Sequence, residues 1–336
     1  MSRFLLLLLF VITAGYLQAN GPERRMRVIF YNVENLFDYR DDTLKNDNEF
    51  LPEATRHWTF RRYRQKLINL SKVLIAAGEG EIPAVIGLCE VENDSVMHDL
   101  SRLTPFSQLG YRYFITESPD ERGINIALLY KRERFKPISR HDYRIDVPNG
   151  YRPTRDILHI CGLIQSGDTL DLFVCHFPSR SGGENVTRKA RRAANRRLRI
   201  ATDSLFAHRA RPHLLIMGDF NDYPADKLAD TALPMLAPEN HSAPNALYNL
   251  MSGLPKEKGS HKYDGEWGYL DQFIVSGLLL NPSQKPYVTN TAVFEAPFLL
   301  KEDTKYFGLR PLRTYYGYRY EGGYSDHLPI MLDILF

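Results

Sequence analysis

Asp219 and Asn221 stand directly after an apolar run, on a turn that begins at Gly218. Glycine permits a sharp bend and lets a ligand approach the backbone closely. An acid and an amide presented together on such a turn suit the binding of a metal ion or a phosphate group. The same motif also makes a good structural turn, so its meaning depends on the rest of the chain.

The same arrangement recurs four more times, because other apolar runs also border on polar side chains. The side chains concerned are Asn32, Glu90, His176 and the adjacent pair Asp326 and His327. Asp271 adds another acid at the start of an apolar segment. Any one of these residues is more often a turn former than a ligand. Their combination favours one shared site.

A hard divalent cation is the simplest reason to gather several carboxylates, which otherwise repel one another. Oxygen ligands such as Glu90 and Asp326 suit Mg²⁺ or Mn²⁺ better than zinc, which prefers nitrogen and sulfur. The sequence has no Cys-x-x-Cys or His-Glu-x-x-His spacing that would indicate zinc. We therefore expect Mg²⁺ or Mn²⁺ as the cofactor.

Composition leaves the function class open. The chain has 336 residues, of which 43% are hydrophobic and 25% charged, which is ordinary for a globular protein. The formal net charge of +3 neither demands nor excludes an anionic partner.

Cys89, Cys161 and Cys175 lie in apolar runs and are expected to be buried free thiols, although one disulfide between Cys161 and Cys175 is an alternative.

The N-terminus is typical of a secretory signal peptide over residues 1–19. A short positive start at Arg3 is followed by an apolar run and then by small and polar residues up to a plausible cleavage site after Ala19. The run is too short to span a bilayer. We expect an exported protein, periplasmic or secreted, without a transmembrane segment in the mature chain. An uncleaved membrane anchor is the alternative.

Strands dominate the pattern along the rest of the chain. Runs such as 83–89 are apolar on both faces, as in sheets that are covered on both sides. Helical periodicity predicts two long helices, 60–77 and 184–208. Many strands with few helices predict one α/β domain of stacked sheets flanked by helices. The predicted strands are 27–33, 84–90, 111–116, 125–131, 156–165, 169–176, 213–219, 272–275 and 328–334.

The polar motifs occur in the order found in the endonuclease/exonuclease/phosphatase superfamily, which the chain resembles from about residue 26 to residue 336. The resemblance is carried by Asn32, Glu90, Gly218-Asp-Phe-Asn221, Leu270-Asp-Gln272 and Ser325-Asp-His327. The runs 31–38 and 176–183 resemble its secreted bacterial endonuclease-like branch. The resemblance implies a four-layer α/β sandwich, with two mixed β-sheets flanked by helices and an active site at one edge of the sheets.

Site roles follow from the resemblance. It implies Glu90 as the main metal ligand, with Asn32 and Asp326 in or near the coordination shell, and Asn32 near the substrate. His327 paired with Asp271 is one candidate for activating water. Asp219 is the other, and the sequence does not choose between them.

Two further side chains, His176 and Asn221, are expected to donate hydrogen bonds to phosphate oxygens. Relatives commonly carry an acid at the position of Asn125, where it can pair with the histidine equivalent to His176. The amide in this chain is expected to hold the ring but to stabilise imidazolium less. Arg180 lies in the loop after His176 and is a candidate substrate contact.

The leading hypothesis is a metal-dependent phosphodiesterase, an endonuclease that hydrolyses nucleic acid by in-line attack of water. A sphingomyelinase-like lipid phosphodiesterase or a phosphatase for small phosphate esters is the alternative, and an inactive nucleic-acid-binding member of the fold is another. No stable protein partner is implied. Two sets of residues could contact nucleic acid or be ordinary surface and core, namely a basic stripe and a tyrosine cluster. They are Arg188, Arg192, Arg196 and Arg199, and Tyr315, Tyr316, Tyr318, Tyr320 and Tyr324.

Overall fold

The computed structural model describes residues 24–225, 232–240, 243–255 and 257–336. The predicted signal peptide lies outside the described residues. Within those ranges, none of the helices combines the length and the apolar character needed to cross a membrane.

Three α-helices lie in the described ranges: α1 Phe60–Ala76, α2 Asp94–Arg102 and α3 Glu184–His208. Short 3₁₀ helices cover Asn48–Phe50, Pro105–Leu109, Pro238–Asn240, Gly277–Leu280 and Pro297–Leu299. The strands are β1 Arg25–Leu36, β2 Val85–Val91, β3 Arg112–Ile115, β4 Asn125–Tyr130, β5 Phe135–Tyr143, β6 Ile157–Ile164, β7 Thr169–His176, β8 Leu214–Asp219, β9 Leu247–Asn249, β10 His261–Tyr263, β11 Glu266–Gly268, β12 Asp271–Ser276, β13 Tyr287–Val293, β14 Leu300–Glu302, β15 Leu309–Pro311, β16 Tyr315–Tyr316, β17 Arg319–Tyr320 and β18 Ile330–Leu335.

Two six-stranded sheets form the centre of the molecule. Their strand orders are β13-β18-β1-β2-β4-β3 and β5-β6-β7-β8-β12-β9. In the first sheet β1 and β2 are parallel, and in the second β7 and β8 are parallel, whereas the other neighbouring strands are antiparallel. Both sheets are therefore mixed, as the resemblance implied.

Alternation along β1 shows how the layers are held together. Val28 and Phe30 belong to the core between the sheets, together with Met217 of β8. Ile29 and Tyr31 point the other way, into the core beneath α1 and α2. A third core lies between the second sheet and α3. Three cores between four layers confirm the predicted sandwich.

All nine predicted strands and both predicted helices are present, with ends shifted by a few residues. Helix α2 was not predicted, and neither were nine strands, namely β5, β9, β10, β11, β13, β14, β15, β16 and β17. Strand β5 lies at an edge, and most of its side chains are at least partly exposed. It therefore lacks the apolar run that marked the central strands.

Strands β6 and β7 pair as the expected hairpin, but the alternative disulfide is wrong. The register places Cys161 opposite Asp171 rather than Cys175. Cys89, Cys161 and Cys175 are buried free thiols.

Candidate active site

Strand pairing brings the polar strand ends to one edge of the sandwich. The parallel pair β7 and β8 sets His176 beside Asp219, and the antiparallel partner β12 sets Asp271 on the other side of Asp219. In the first sheet, the regular parallel pairing of β1 and β2 reaches Asn32 and Cys89, which places Glu90 next to Asn32. A side-chain hydrogen bond from Asn32 then crosses to Asp219 in the second sheet.

Asp219 lies at the centre of this cluster. Its Oδ2 accepts a hydrogen bond from Asn32 Nδ2 at 3.0 Å and lies 3.8 Å from His176 Nε2 and 3.9 Å from His327 Nε2. Its Oδ1 accepts from the backbone N–H of Asn221 at 2.9 Å. Burial raises the pKa of Asp219 to about 7, because Asp271 reinforces the shift and His327 only partly opposes it.

Glu90 stands in a left-handed backbone conformation with φ 63°, which is unusual for a non-glycine residue. Its Oε2 accepts from the backbone N–H of Asn35 at 2.8 Å, and its Oε1 lies 3.3 Å from Asn32 Nδ2 and 3.8 Å from His176 Nε2. The carboxylate is thus fixed against the C-terminal end of β1 and faces the cluster.

Asp271 and His327 form a buried pair. His327 Nδ1 and Asp271 Oδ2 are 2.6 Å apart, and both side chains are almost wholly shielded from solvent. Burial alone would lower the pKa of His327, but Asp271 raises it to about 10. His327 is therefore an imidazolium at neutral pH in the metal-free protein.

The predicted ligand Asp326 belongs to a charged network that sequence reasoning missed. Arg313 donates to Asp326 Oδ2 at 2.5 Å and to Glu34 Oε1 at 3.4 Å. Buried Lys66 lies 3.9 Å from Glu34. Burial would raise the pKa of Asp326, but Arg313 lowers it to about 2, so this carboxylate is ionised.

The position of His176 corrects one expectation. Asn125 does not hold the imidazole ring, because its amide donates to Glu92 O at 2.6 Å and accepts from Ser118 N at 2.7 Å. Among the described residues, buried His176 Nδ1 has no hydrogen-bond partner. Burial, reinforced by Arg155, lowers the pKa of His176 well below its usual range, so the ring is neutral.

Asn221 joins the cluster, whereas Arg180 lies in a neighbouring ion-pair group. The Asn221 side chain donates to Phe177 O at 3.0 Å. Arg180 lies 3.2 Å from Glu184 and 3.8 Å from Asp222, with its guanidinium over the ring of Tyr223. To contact a substrate, Arg180 would have to leave these partners.

Tyrosines near Asp326 divide between core and surface. Tyr315 is buried, whereas Tyr316 and Tyr318 on the same hairpin are 38% and 62% exposed. Tyr316 lines a cavity of about 240 Å³ that also reaches Asp326 and Arg313. Only part of the tyrosine cluster is therefore available to a substrate.

The chain belongs to the endonuclease/exonuclease/phosphatase family, because the model of that family matches residues 27–335. This superfamily consists of metal-dependent phosphoric-ester hydrolases, including nucleases and phosphatases. A comparison with curated proteins gave no match.

Solved structures share the fold. An endonuclease/exonuclease/phosphatase family protein from Bacteroides thetaiotaomicron is 15% identical, with a TM-score of 0.58 and coverage of 94% of this chain and 96% of that one. A mannosyl-6-phosphatase from the same organism is 15% identical, with a TM-score of 0.55 and coverage of 93% and 100%. D. rerio TDP2 complexed with single-strand DNA product is 15% identical, with a TM-score of 0.53 and coverage of 92% and 98%. At these identities the likeness shows the fold alone.

The donor set fits the divalent cation that the family uses. Glu90, Asp219 and Asp326 supply carboxylate oxygens, and the described cluster contains no thiol ligand. Such oxygen donors suit a hard cation. Asp271 Oδ1 is also buried without a hydrogen-bond partner among the described residues, which leaves one carboxylate oxygen unpaired beside these donors.

Proposed function

We propose that this protein is a divalent-metal-dependent phosphodiesterase that cleaves nucleic acid by in-line attack of water. The observation that carries the proposal is the convergence of Asn32, His176 and His327 on Asp219, from both sheets and from the C-terminal loop. Asp219 is a base, Asn32 and His176 are neutral donors, and His327 is a positively charged imidazole. All four side chains face one small volume.

Glu90, Asn32 and Asp326 would hold the Mg²⁺ or Mn²⁺ ion. When bound there, the ion would neutralise charge on the non-bridging phosphate oxygens and on the leaving oxygen. A bound cation would also explain why these side chains lie next to each other although the protein supplies too few positive charges of its own.

Electrostatics favour Asp219 over His327 as the general base. A pKa of about 7 lets Asp219 take a proton from water near neutral pH. A pKa of about 10 keeps His327 protonated, so it would donate to a phosphate oxygen while Asp271 fixes its orientation. The sequence left open whether Asp219 or His327 is the general base, and we propose Asp219.

His176 and Asn221 would position the phosphate. His176 Nε2 lies between Glu90 and Asp219, where a neutral ring can donate a hydrogen bond to a phosphate oxygen. An amide nitrogen has two N–H groups, so Asn221 can keep its bond to Phe177 O and offer the second to the substrate.

Nucleic acid as the substrate is supported by the exposed face of α3. A cavity of about 900 Å³ along this helix is lined by many cationic side chains. They are Lys189, Arg192, Arg196, Arg197 and Arg199. Helix α3 begins just after the loop that follows His176, so a bound polyanion could continue from this face toward the site.

Small phosphate esters are the second candidate. The cavity of about 240 Å³ beside Asp326 and Arg313 suits a small ligand, and one protein of similar fold is a mannosyl-6-phosphatase. For a lipid substrate, the hairpin β14–β15 exposes only Phe307 and Leu309 as large apolar side chains, at 83% and 49%. Two such residues make a small apolar surface.

One assay separates these substrates. The full chain is incubated with Mg²⁺ or Mn²⁺ and, separately, plasmid DNA, RNA, mannose 6-phosphate, sphingomyelin vesicles and phosphoinositides, beside Asp219→Ala. We expect metal-dependent cleavage of nucleic acid that Asp219→Ala abolishes. Hydrolysis of a monoester or a lipid alone would reject the nuclease proposal. Equal activity in Asp219→Ala would reject the role of Asp219.

We also propose that the protein is exported, with residues 1–19 removed as a signal peptide. The charged start, the apolar run and Ala19 support this proposal. Sequencing the N-terminus of the protein recovered from the cells that make it tests the proposal. A chain that begins at Asn20 is expected, and an intact chain that stays attached to membranes would contradict cleavage.

A further inference from the structure

His261 lies against the catalytic cluster although no sequence motif marked it. It forms an antiparallel β-bridge with His327, and the two rings are 4.6 Å apart between centroids with an interplanar angle of 38°. The backbone around His261 is anchored, because Leu328 N–H donates to Ser260 O at 2.6 Å. The two imidazoles are therefore held together by the fold rather than by a flexible loop.

Asp326 completes a group of three possible metal ligands with these histidines. One ligand atom from each of His261, Asp326 and His327 lies within 4.8 Å of the other two. Two imidazole nitrogens and one carboxylate oxygen form a donor set that suits zinc or a similar transition metal. The cluster around Glu90 is instead dominated by oxygen atoms, so the two donor sets differ in chemistry.

Two further observations point to a ligand at this place. Buried His261 Nδ1 has no hydrogen-bond partner among the described residues, and such atoms normally have one. His327 has its Nδ1 against Asp271 at 2.6 Å, which leaves Nε2 as the ligating atom. A carboxylate behind a histidine is the usual arrangement around a zinc-bound imidazole, because it fixes the tautomer and makes the ring a better ligand.

Asp326 can also supply a ligand atom while it keeps its bond to Arg313. Arg313 donates to its Oδ2, and a carboxylate has a second oxygen for a metal. Three protein ligands with a fourth position left for water or an anion correspond to an open zinc site.

We propose that His261, Asp326 and His327 form a binding site for Zn²⁺ or a similar transition metal, beside the hard-cation site at Glu90 and sharing Asp326 with it. Occupancy of this site takes up His327 Nε2 and one Asp326 oxygen, both of which the proposed hydrolysis needs. Zn²⁺ therefore inhibits hydrolysis in the presence of Mg²⁺. The inhibition rests on the proposed function, but the binding does not.

Calorimetric titration tests the binding directly. The metal-free full chain is titrated with ZnCl₂ in excess Mg²⁺, beside His261→Phe, His261→Tyr and Glu90→Gln, with His208→Phe as a control for the loss of an exposed histidine. We expect the affinity for Zn²⁺ to fall at least about tenfold in both His261 variants, since even the loss of an outer-shell partner costs this much. The control and Glu90→Gln should bind Zn²⁺ like the wild type. Unchanged binding in the His261 variants, or its loss in Glu90→Gln, would overturn the proposal.

Anomalous scattering at the zinc edge from a wild-type crystal gives a second readout that needs neither a folded variant nor activity. A peak between His261 and His327 is expected. A zinc peak confined to Glu90 would overturn the second site while leaving the proposed hydrolase intact. Absence of hydrolysis on every substrate, with the peak still at His261, would instead reject the proposed function alone.

Discussion

Asp219 is the residue at which side chains from both sheets meet in the site. Asn32 reaches it from β1, His176 lies beside it on β7, and His327 approaches it from the C-terminal loop. Its raised pKa follows from this burial, since few of its neighbours are cationic. A group so placed is a functional-site candidate on physical grounds.

Replacing Asp271 by Asn tests the buried pair. The variant removes the negative charge that orients His327 and keeps it protonated, so we expect kcat to fall about 10²- to 10⁴-fold with little change in KM. Asp171→Asn is the matched control, because it breaks a buried His159–Asp171 pair of 2.9 Å outside the cluster. Steady-state kinetics of both variants make the comparison. An equal loss of kcat in the two would show that the effect comes from stability.

Alkaline pH should weaken the His327–Asp271 pair. The pKa of His327 is raised to about 10 in the folded protein from an ordinary 6.5. The stabilisation is therefore complete below the unfolded value and disappears as pH rises through about 10. We expect the difference in free energy of unfolding between metal-free wild type and His327→Gln to shrink progressively from about pH 6.5 to about pH 10. Denaturant titrations measure it, and a constant difference would contradict the raised pKa.

At the level of residues, the sequence allowed prediction of side chains that follow apolar strands. Asn32, Glu90, His176 and Asp219 were proposed because a polar residue at the end of such a run is conspicuous, and Asp271 because it begins an apolar segment; strand pairing brings them to one edge of the sandwich. Arg313 and His261 were missed because no long apolar run ends at either residue, and Glu34 was missed although it lies within the run 31–38 that carried part of the resemblance. The partners of Asn125 depended on loop geometry that spacing does not encode.

Helix α1 supports the loop that carries Asp326, which gives this element a role beyond the core. Lys66 donates to Thr314 Oγ1 at 2.5 Å and to Tyr324 O at 2.6 Å. Asn69 donates to Gly322 O at 3.0 Å and to Gly323 O at 2.9 Å. Backbone carbonyl groups that would otherwise be unpaired are thus held against the helix.

Asn69→Leu should loosen this loop. Loss of the two hydrogen bonds leaves buried carbonyl groups unpaired, at a cost of about 1–3 kcal/mol in the free energy of unfolding. Hydrogen exchange of residues 313–324 should become faster, and kcat should fall because Asp326 is less well fixed. Ile68→Ala on the exposed side of the same helix is the control. Unchanged hydrogen exchange in Asn69→Leu would contradict the support of this loop by α1.

Helix α3 offers a test of polyanion binding. Removing two exposed cations with Arg192→Gln/Arg196→Gln should reduce the slope of log affinity against log salt concentration by roughly 1 to 2. Cleavage of a small chromogenic diester should change little, because the proposed catalytic groups lie elsewhere. Arg61→Gln/Arg64→Gln on α1 is the control of equal charge. A salt slope that changes equally in both double variants would contradict a specific role for α3.

The whole molecule explains why residues distant in sequence meet. Gly87 in β2 faces the second sheet, where an added Cβ would lie 2.9 Å from Met217 Sδ and 3.3 Å from Val174 Cγ1. The sheets can therefore pack closely, and their polar ends meet at a common edge. The sequence predicted stacked sheets from strands that are apolar on both faces, and the resemblance implied two mixed sheets, but the strand order was not predicted. Edge strand β5 and helix α2 carried too weak a pattern to be predicted.

The most direct test is the position of Mn²⁺ in a crystal of the protein, located by anomalous scattering. One peak should lie at the Glu90 and Asn32 side chains, on the side facing Asp219, and should vanish in Glu90→Gln. A protein that hydrolyses phosphate esters with no Mn²⁺ bound there, or that binds the ion only on a distant surface, would contradict a single cation-dependent site built from both sheets.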